Sequence, residues 1–297
     1  MKSDYFMTCD VEEFSIQHST IKDSVIPKVH EQGLPRILDV FERHEISATF
    51  FFTGYFAERS PESLELVKGK GHEIGCHSYS HDSNLYLNKL DAKRQFQQIF
   101  KGKKLIEKVV GPITSFRAPA LRTNKYTFEI LMKCGFTHDS SRCPRRFDAF
   151  LTPGATKEKL KYVNSSRNVY KITSKLDKSK NIIEVPISSL LLPYMSNISR
   201  ISPSFMSIIR KKLFKEAKET GSFLNFLTHP NEFVDVDGKP KTTYRSDYLL
   251  GYILTDYLRH KLKLQRMGKE GVKLLEEEVI LAKNSGFNFK KINSIKL

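Results

Sequence analysis

Cysteine is scarce in this chain of 297 residues, which has four, Cys9, Cys76, Cys134 and Cys143, none of them in a CxxC spacing. That excludes a disulfide scaffold and a zinc-finger pattern, and the four are read as free thiols, most of them buried. No apolar run approaches the roughly 18 residues that cross a bilayer. The opening MKSDYFMTCDVEEF carries acids where a secretory signal would have its apolar core, so the expected location is the cytoplasm. No stretch recurs at a solenoid period. Glycine and proline, 15 and 12, are too few for low-complexity sequence.

What is abundant is positive charge. Lysine and arginine outnumber aspartate and glutamate, giving a net charge of +16. Such an excess favours an anionic partner, whether acidic glycan, phosphate, nucleic acid or anionic membrane surface, and is silent about fold. No RNP-like aromatic run accompanies it, so nucleic acid is not expected.

Short apolar runs alternate with segments of helical period, the pattern of βαβ units around a parallel sheet or barrel. Strands are expected at Tyr5–Glu12, Ala48–Thr53, His72–His77, Ile113–Ala118, Phe136–Ser140, Ile182–Ser188, Ser222–Thr228 and Phe287–Ile292. Helices are expected at Pro35–His44, Pro61–Lys68, Leu90–Val109, Tyr126–Cys134 and Pro203–Thr220, and from Ser246 to Asn284 with breaks near Gly268 and Gly271. Residues 153–181 form a basic excursion at the surface. No linker separates two cores, so residues 1–297 read as one α/β domain.

Side chains alternate along a strand, so Asp10 and Glu12 project to one side of Tyr5–Glu12 and Val11 and Glu13 to the other. In parallel α/β architectures ligands bind at the carboxyl ends of strands, where this carboxylate pair lies. Taken alone, Asp-Val-Glu-Glu is an ordinary acidic turn. His77 and His81, four residues apart, converge on one ion if the chain turns helically after its strand. With a strand-end carboxylate they form a two-histidine, one-carboxylate set suited to a divalent ion with open positions. Arg117, after the fourth strand, is placed to pair with Asp10, and His229 ends an apolar strand where a general acid could face the ion. His72 faces away and reads as structural.

The fragments Thr8-Cys9-Asp10-Val11-Glu12, Ala48-Thr49-Phe50-Phe51, Gly71 to His81 (GHEIGCHSYSH), Phe116-Arg117-Ala118-Pro119 and Leu227-Thr228-His229-Pro230 resemble, in order, the motifs of the polysaccharide deacetylases, the NodB-homology carbohydrate esterases. The first motif is similar to the Asp-x-Glu branch. The resemblance implies a distorted, incomplete (β/α)7 barrel in a single domain and hydrolysis of an N-acetyl, occasionally an O-acetyl, group from a sugar. It further implies Asp10 as general base; Glu12, His77 and His81 as ligands of a divalent ion, with Zn2+ expected; Arg117 orienting the base; His229 as general acid; and the backbone N–H of Ala120 as oxyanion donor. The family's fourth motif usually contains tryptophan, which this chain lacks, and Asp139 is the candidate partner that tunes His229.

The implied substrate is an amino sugar or oligosaccharide, pyrophosphate-linked, lipid-linked or part of a growing surface glycan. The basic excursion and the helix bearing Arg210, Lys211, Lys212, Lys215 and Lys218 are candidates to contact pyrophosphate or the anionic inner membrane surface. A deformylase or cyclic amidase on the same barrel is the nearest alternative, and a non-catalytic sugar-binding protein the alternative from another class.

Overall fold

The computed structural model describes residues 3–146, 162–237 and 252–297. Strand β1 (Asp4–Val11) is buried from Tyr5 onward. It is an interior parallel strand, and its run of apolar residues follows from being covered on both faces. On one side it pairs with Leu224–Thr228, Tyr5 beside Leu224 and Cys9 beside Thr228. On the other it pairs with β2 (Thr49–Phe52), Thr8 beside Thr49 and Val11 beside Phe52.

The sheet continues through β3 (Glu73–Cys76), β4 (Ser115–Phe116), β5 (His138–Asp139), β6 (Tyr170–Thr173), β7 (Asn181–Glu184), β8 (Leu224–Thr228) and β9 (Asn288–Phe289). Its spatial order is β8-β1-β2-β3-β4-β5-β7-β6, with β9 beside the start of β1. Seven of these strands, β8 to β7 in that order, run parallel. Beyond β7 the chain passes through a short antiparallel hairpin, Ser189–Leu190 against Leu192–Pro193, and closes on β8: Ser188 N donates to Asn225 O (3.0 Å) and Leu227 N to Tyr194 O (3.1 Å). The architecture is therefore a distorted, incomplete (β/α)7 barrel.

Helix α1 (Leu34–Arg43) buries Leu34, Ile37, Leu38, Val40 and Phe41 on one face. Before it, Gly33 lies so close under Pro230 that a Cβ would come within 2.3 Å of the Pro230 carbonyl oxygen. Helix α2 (Ala92–Val110) starts at an Asp91 cap, whose carboxylate accepts from Arg94 N (2.8 Å). A Cβ on its Gly102 would lie 2.3 Å from Ser78 O, so this helix packs backbone to backbone against the segment leading to His81.

Several expectations need correction. The strands after β1 are shorter than their apolar runs, although single backbone bonds continue past their ends, as from Arg117 N to Cys76 O (2.9 Å) and from Val185 N to Asp139 O (2.8 Å). The basic excursion is not all surface loop: Tyr170–Thr173 pairs antiparallel with β7, its alternating side chains half-buried and exposed. Residues 153–161 and 246–251 lie outside the described residues. The C-terminal helix breaks at Gly268 (φ 62°) but runs through Gly271, which is buried against Arg200 and Phe233. On helix α3 (Pro203–Thr220) Lys211, Lys212, Lys215 and Lys218 are exposed, but Arg210 turns inward to the buried Glu278 (3.0 Å). Among the described residues no helix is long and apolar enough to cross a membrane.

Candidate metal centre and active site

Asp10 is the last inward-facing residue of β1 and Glu12 follows one step beyond it; both are buried. Arg117, fully buried after β4, donates from Nη1 to Asp10 Oδ1 (2.8 Å) and Thr8 Oγ1 (3.0 Å). Its Nε donates to Ser140 O (2.9 Å) and Nη2 to Ser140 Oγ (2.7 Å), and its guanidinium lies 4.5 Å from the centre of the Phe51 ring. A buried ion pair persists only when its remaining donors are satisfied in this way.

His77 leaves β3 with its backbone N–H donated to Phe52 O (2.7 Å). Its Nδ1 lies 2.8 Å from the Arg117 carbonyl oxygen, which can only accept, so Nδ1 carries the proton. Nε2 then faces the carboxylates, 3.7 Å from Glu12 Oε2 and 3.8 Å from Asp10 Oδ2. The chain does not reach His81 by a helical turn as expected. Ser78 takes φ 63°, and an extended loop is pinned by Glu13, whose carboxylate accepts from Ser80 Oγ (2.6 Å), His81 N (2.9 Å) and Thr53 Oγ1 (2.7 Å). Glu13 does face away from Glu12, and it fixes the histidine loop from behind.

His81 Nε2 stands 3.0 Å from Glu12 Oε2, and one ligand atom from each of Glu12, His77 and His81 falls within 4.8 Å of the others. Glu12 Oε2 and His77 Nε2 are buried without a hydrogen bond. Buried polar atoms are rarely left so, and two imidazole nitrogens with a carboxylate oxygen are the donors a divalent ion takes. Burial raises the Glu12 pKa, but His81, His77 and His229 outweigh it and hold the carboxyl at about 2. Burial, assisted by His77, keeps the His81 ring below its ordinary value despite Glu12. Both shifts favour the deprotonated forms of Glu12 and His81 that metal binding requires.

His229 follows β8 and its Nδ1 meets Glu232 Oε1 at 2.9 Å. Glu232 is in turn held by buried Arg200 (Nε to Oε2, 2.7 Å), whose Nη1 donates to Lys263 O (2.7 Å) and Gln265 O (2.8 Å). Burial disfavours the charged imidazole, but the Glu232 hydrogen bond and the negative charges of Glu232, Glu12 and Asp10 raise the His229 pKa above its ordinary value. Glu232 itself, against the effect of burial, is held at about 2 by Arg200 and His229.

The assignment of Asp139 as the partner of His229 is corrected by this arrangement. Asp139 accepts from Ser141 Oγ (2.7 Å) and Ser141 N (3.2 Å), and burial raises its pKa, as it does that of its neighbour Glu184. Ser141 Oγ accepts from Ala118 N (2.8 Å), so Asp139 braces the segment that carries Arg117 and Ala120. Glu232 was available to sequence reasoning as the acid three residues after His229 in His-Pro-Asn-Glu. Arg200 had no local signal. His72 is structural, its Nδ1 accepting from Ala48 N (3.2 Å) and burial lowering its pKa to about 4.

A cavity of about 700 Å³ opens over the trio, lined among others by Glu12, His81, Ala120, His229 and Tyr86. Ala120 is exposed and sits at φ 53°. A second cavity, of about 730 Å³, lies between Val163–Asn168 and helix α3; its one carboxylate, Glu216, is paired with Arg167, and no histidine or cysteine lines it.

The pattern described as polysaccharide deacetylase matches residues 20–138. Over those residues the chain is similar to the polysaccharide deacetylases. Among curated relatives, a peptidoglycan deacetylase of Helicobacter pylori is 28% identical over 179 residues, 59% of this chain and 60% of that protein. A peptidoglycan-N-acetylglucosamine deacetylase of Bacillus cereus is 32% identical over 102 residues, 34% of this chain and 46% of that protein. The matched segments thus span only about half the length of these relatives. The crystal structure of a probable polysaccharide deacetylase from Pseudomonas aeruginosa superposes with a TM-score of 0.65 at 15% identity, covering 98% of this chain and 88% of that one, which shows the shared fold.

Proposed function

We propose that this chain is a metal-dependent deacetylase that hydrolyses the N-acetyl group of an amino sugar in a surface-glycan saccharide or its lipid-linked precursor. The observation that carries the reading is the buried, unpaired ligand set of Glu12 and His77, with His81 beside it, flanked by the Arg117–Asp10 pair and by His229. Glu12, His77 and His81 would hold the ion, for which Zn2+ suits the donors. A divalent ion there supplies Lewis acidity toward water and the acetyl carbonyl.

Asp10 Oδ2, the oxygen not bonded to Arg117 Nη1, lies on the His77 side and is placed to take a proton from the attacking water. His229 donates from Nδ1 to Glu232, which leaves Nε2 to deliver a proton to the departing amine. An amine is a poor leaving group without that proton, so a histidine held protonated by a buried carboxylate is the group the reaction needs. The Ala120 N–H, at the cavity mouth, is the candidate donor to the carbonyl oxygen as it gains charge.

The test measures bound metal together with acetate and formate released from N-acetylated and N-formylated amino sugars. Stoichiometric metal and acetate release support the reading. Preferential formate release would transfer the chain to the deformylase alternative, and sugar binding without either product to the non-catalytic one.

A further inference from the structure

The charged residues around the catalytic cavity are unevenly committed. Glu232 and Arg200 neutralise each other, and Glu12 belongs to the histidine pair. On the wall formed by the segment after His81 and the segment after Ala120, two cations line the cavity, Lys89 and Arg122. Neither forms an ion pair or a side-chain hydrogen bond with any described residue. Arg122 is half-buried, and its guanidinium carbon lies over the Tyr86 ring, 4.7 Å from the ring centre. The Tyr86 hydroxyl is 3.4 Å from His81 Nδ1, and the two rings meet edge to face with centroids 5.4 Å apart. Asp82, the acid of the same wall, accepts from Asn84 N with Oδ1 (2.8 Å) and pairs with neither cation.

A guanidinium lying over an aromatic ring keeps its N–H donors for other partners, and no acceptor among the described residues meets those of Arg122. Its position is one aromatic ring removed from a metal ligand and two residues from Ala120. We propose that Arg122, with Lys89, forms an anion subsite within the catalytic cavity, so that the favoured substrate is an acetamido sugar bearing a carboxylate or phosphate near the acetyl group undergoing hydrolysis. This rests on the deacetylase reading and narrows its substrate class. The planar fork suits bidentate contact with either anion, Tyr86 holds its orientation, and Lys89 adds a mobile second charge. Charge-assisted hydrogen bonds of this kind favour the charged substrate by about 10- to 100-fold over its neutral counterpart.

The experiment compares three probes of matched length: an N-acetylglucosamine oligomer, the same oligomer containing N-acetylmuramic acid, and an N-acetylglucosamine phosphate. Acetate release and calorimetric binding are both measured, for the native protein and for Arg122→Gln, Arg122→Lys and Lys89→Gln. The native protein should turn over one of the acidic probes with a higher kcat/KM than the neutral one, and whichever acid leads identifies the group. Arg122→Gln should reduce that ratio about 10- to 100-fold, mainly through KM, with Arg122→Lys recovering part of it and Lys89→Gln costing less. A native protein that treats neutral and acidic probes alike, or an Arg122→Gln variant that loses both equally, overturns the subsite while leaving deacetylation intact. Acidic probes that bind in an Arg122-dependent way without releasing acetate would uphold the subsite and remove the deacetylase reading.

Discussion

On one side of the cavity Arg117 donates directly to Asp10 (2.8 Å), whereas on the other Arg200 donates to Glu232 (2.7 Å), which itself accepts from His229 (2.9 Å). Both arginines are buried, and both spend their remaining donors on neighbouring acceptors. The difference lies in what the pair does to the group at the cavity. Arg117 fixes a carboxylate that keeps its second oxygen for chemistry. Arg200 keeps Glu232 anionic, and that anion favours a proton on His229. Under the proposed mechanism, one kind of buried ion pair would serve a proton acceptor where it touches the reacting group and a proton donor where a carboxylate stands between.

The largest expected effect falls on the acceptor side. His77→Ala or His81→Ala should lose bound metal and hydrolysis together, while Asp10→Asn should keep the metal and lose about 10²-fold or more in turnover. Metal analysis beside acetate release checks this. If Asp10→Asn empties the site and Glu12→Gln leaves it filled, the roles of the two carboxylates are reversed.

Next in size is the cost of opening either ion pair. Arg117→Met removes the cation paired with buried Asp10 and should lower the free energy of unfolding by about 3–5 kcal/mol, and Arg200→Met, which leaves buried Glu232 with His229 alone, by up to as much. Urea unfolding of the two variants measures whether the pairs are equivalent. A loss below about 1 kcal/mol at Arg200 would mean that water reaches Glu232 in solution.

The smallest and most discriminating effect is on pH dependence. With His229 raised above its ordinary value of about 6.5, kcat/KM should begin to fall only above that value, as pH rises through the folded one. Glu232→Gln removes both the charge and the carboxylate acceptor, so the falling limb should move to lower pH; Asp139→Asn should leave it in place. Equal shifts in the two variants would break the distinction drawn between these acids. Glu232, held at about 2, also contributes stability that is complete above its ordinary range near 4.5 and is lost as pH falls toward 2.

Asp10, Glu12, His77, Arg117 and His229 were legible because each stands at or just past the end of an apolar run, where a parallel sheet must present its side chains, and His81 because of its spacing from His77. The order of elements was legible for the same reason. What brings His81 to Glu12 was not: the i, i+4 spacing suggested a helical turn, but Ser78 at φ 63° and the Glu13 contacts make an extended loop. Tyr170–Thr173 was hidden because an edge strand with one wet face, in a run rich in lysine, has little apolar signal. Arg200 was unreadable, since its partner lies 32 residues away and its other contacts come from the C-terminal segment.

Gly102 lies on a helix that supplies no group to the chemistry, yet Ser78 O comes so near that any side chain at 102 would strike the backbone from which His77 and His81 hang. The distance between that helix and the proposed metal ligands is set by the absence of an atom. A screen for inactivating substitutions would accordingly score position 102 among the histidines and carboxylates. Its lesions would differ in kind, because they would displace an intact ligand set without removing a member of it, and a smaller neighbour on the facing loop could restore what no added metal would.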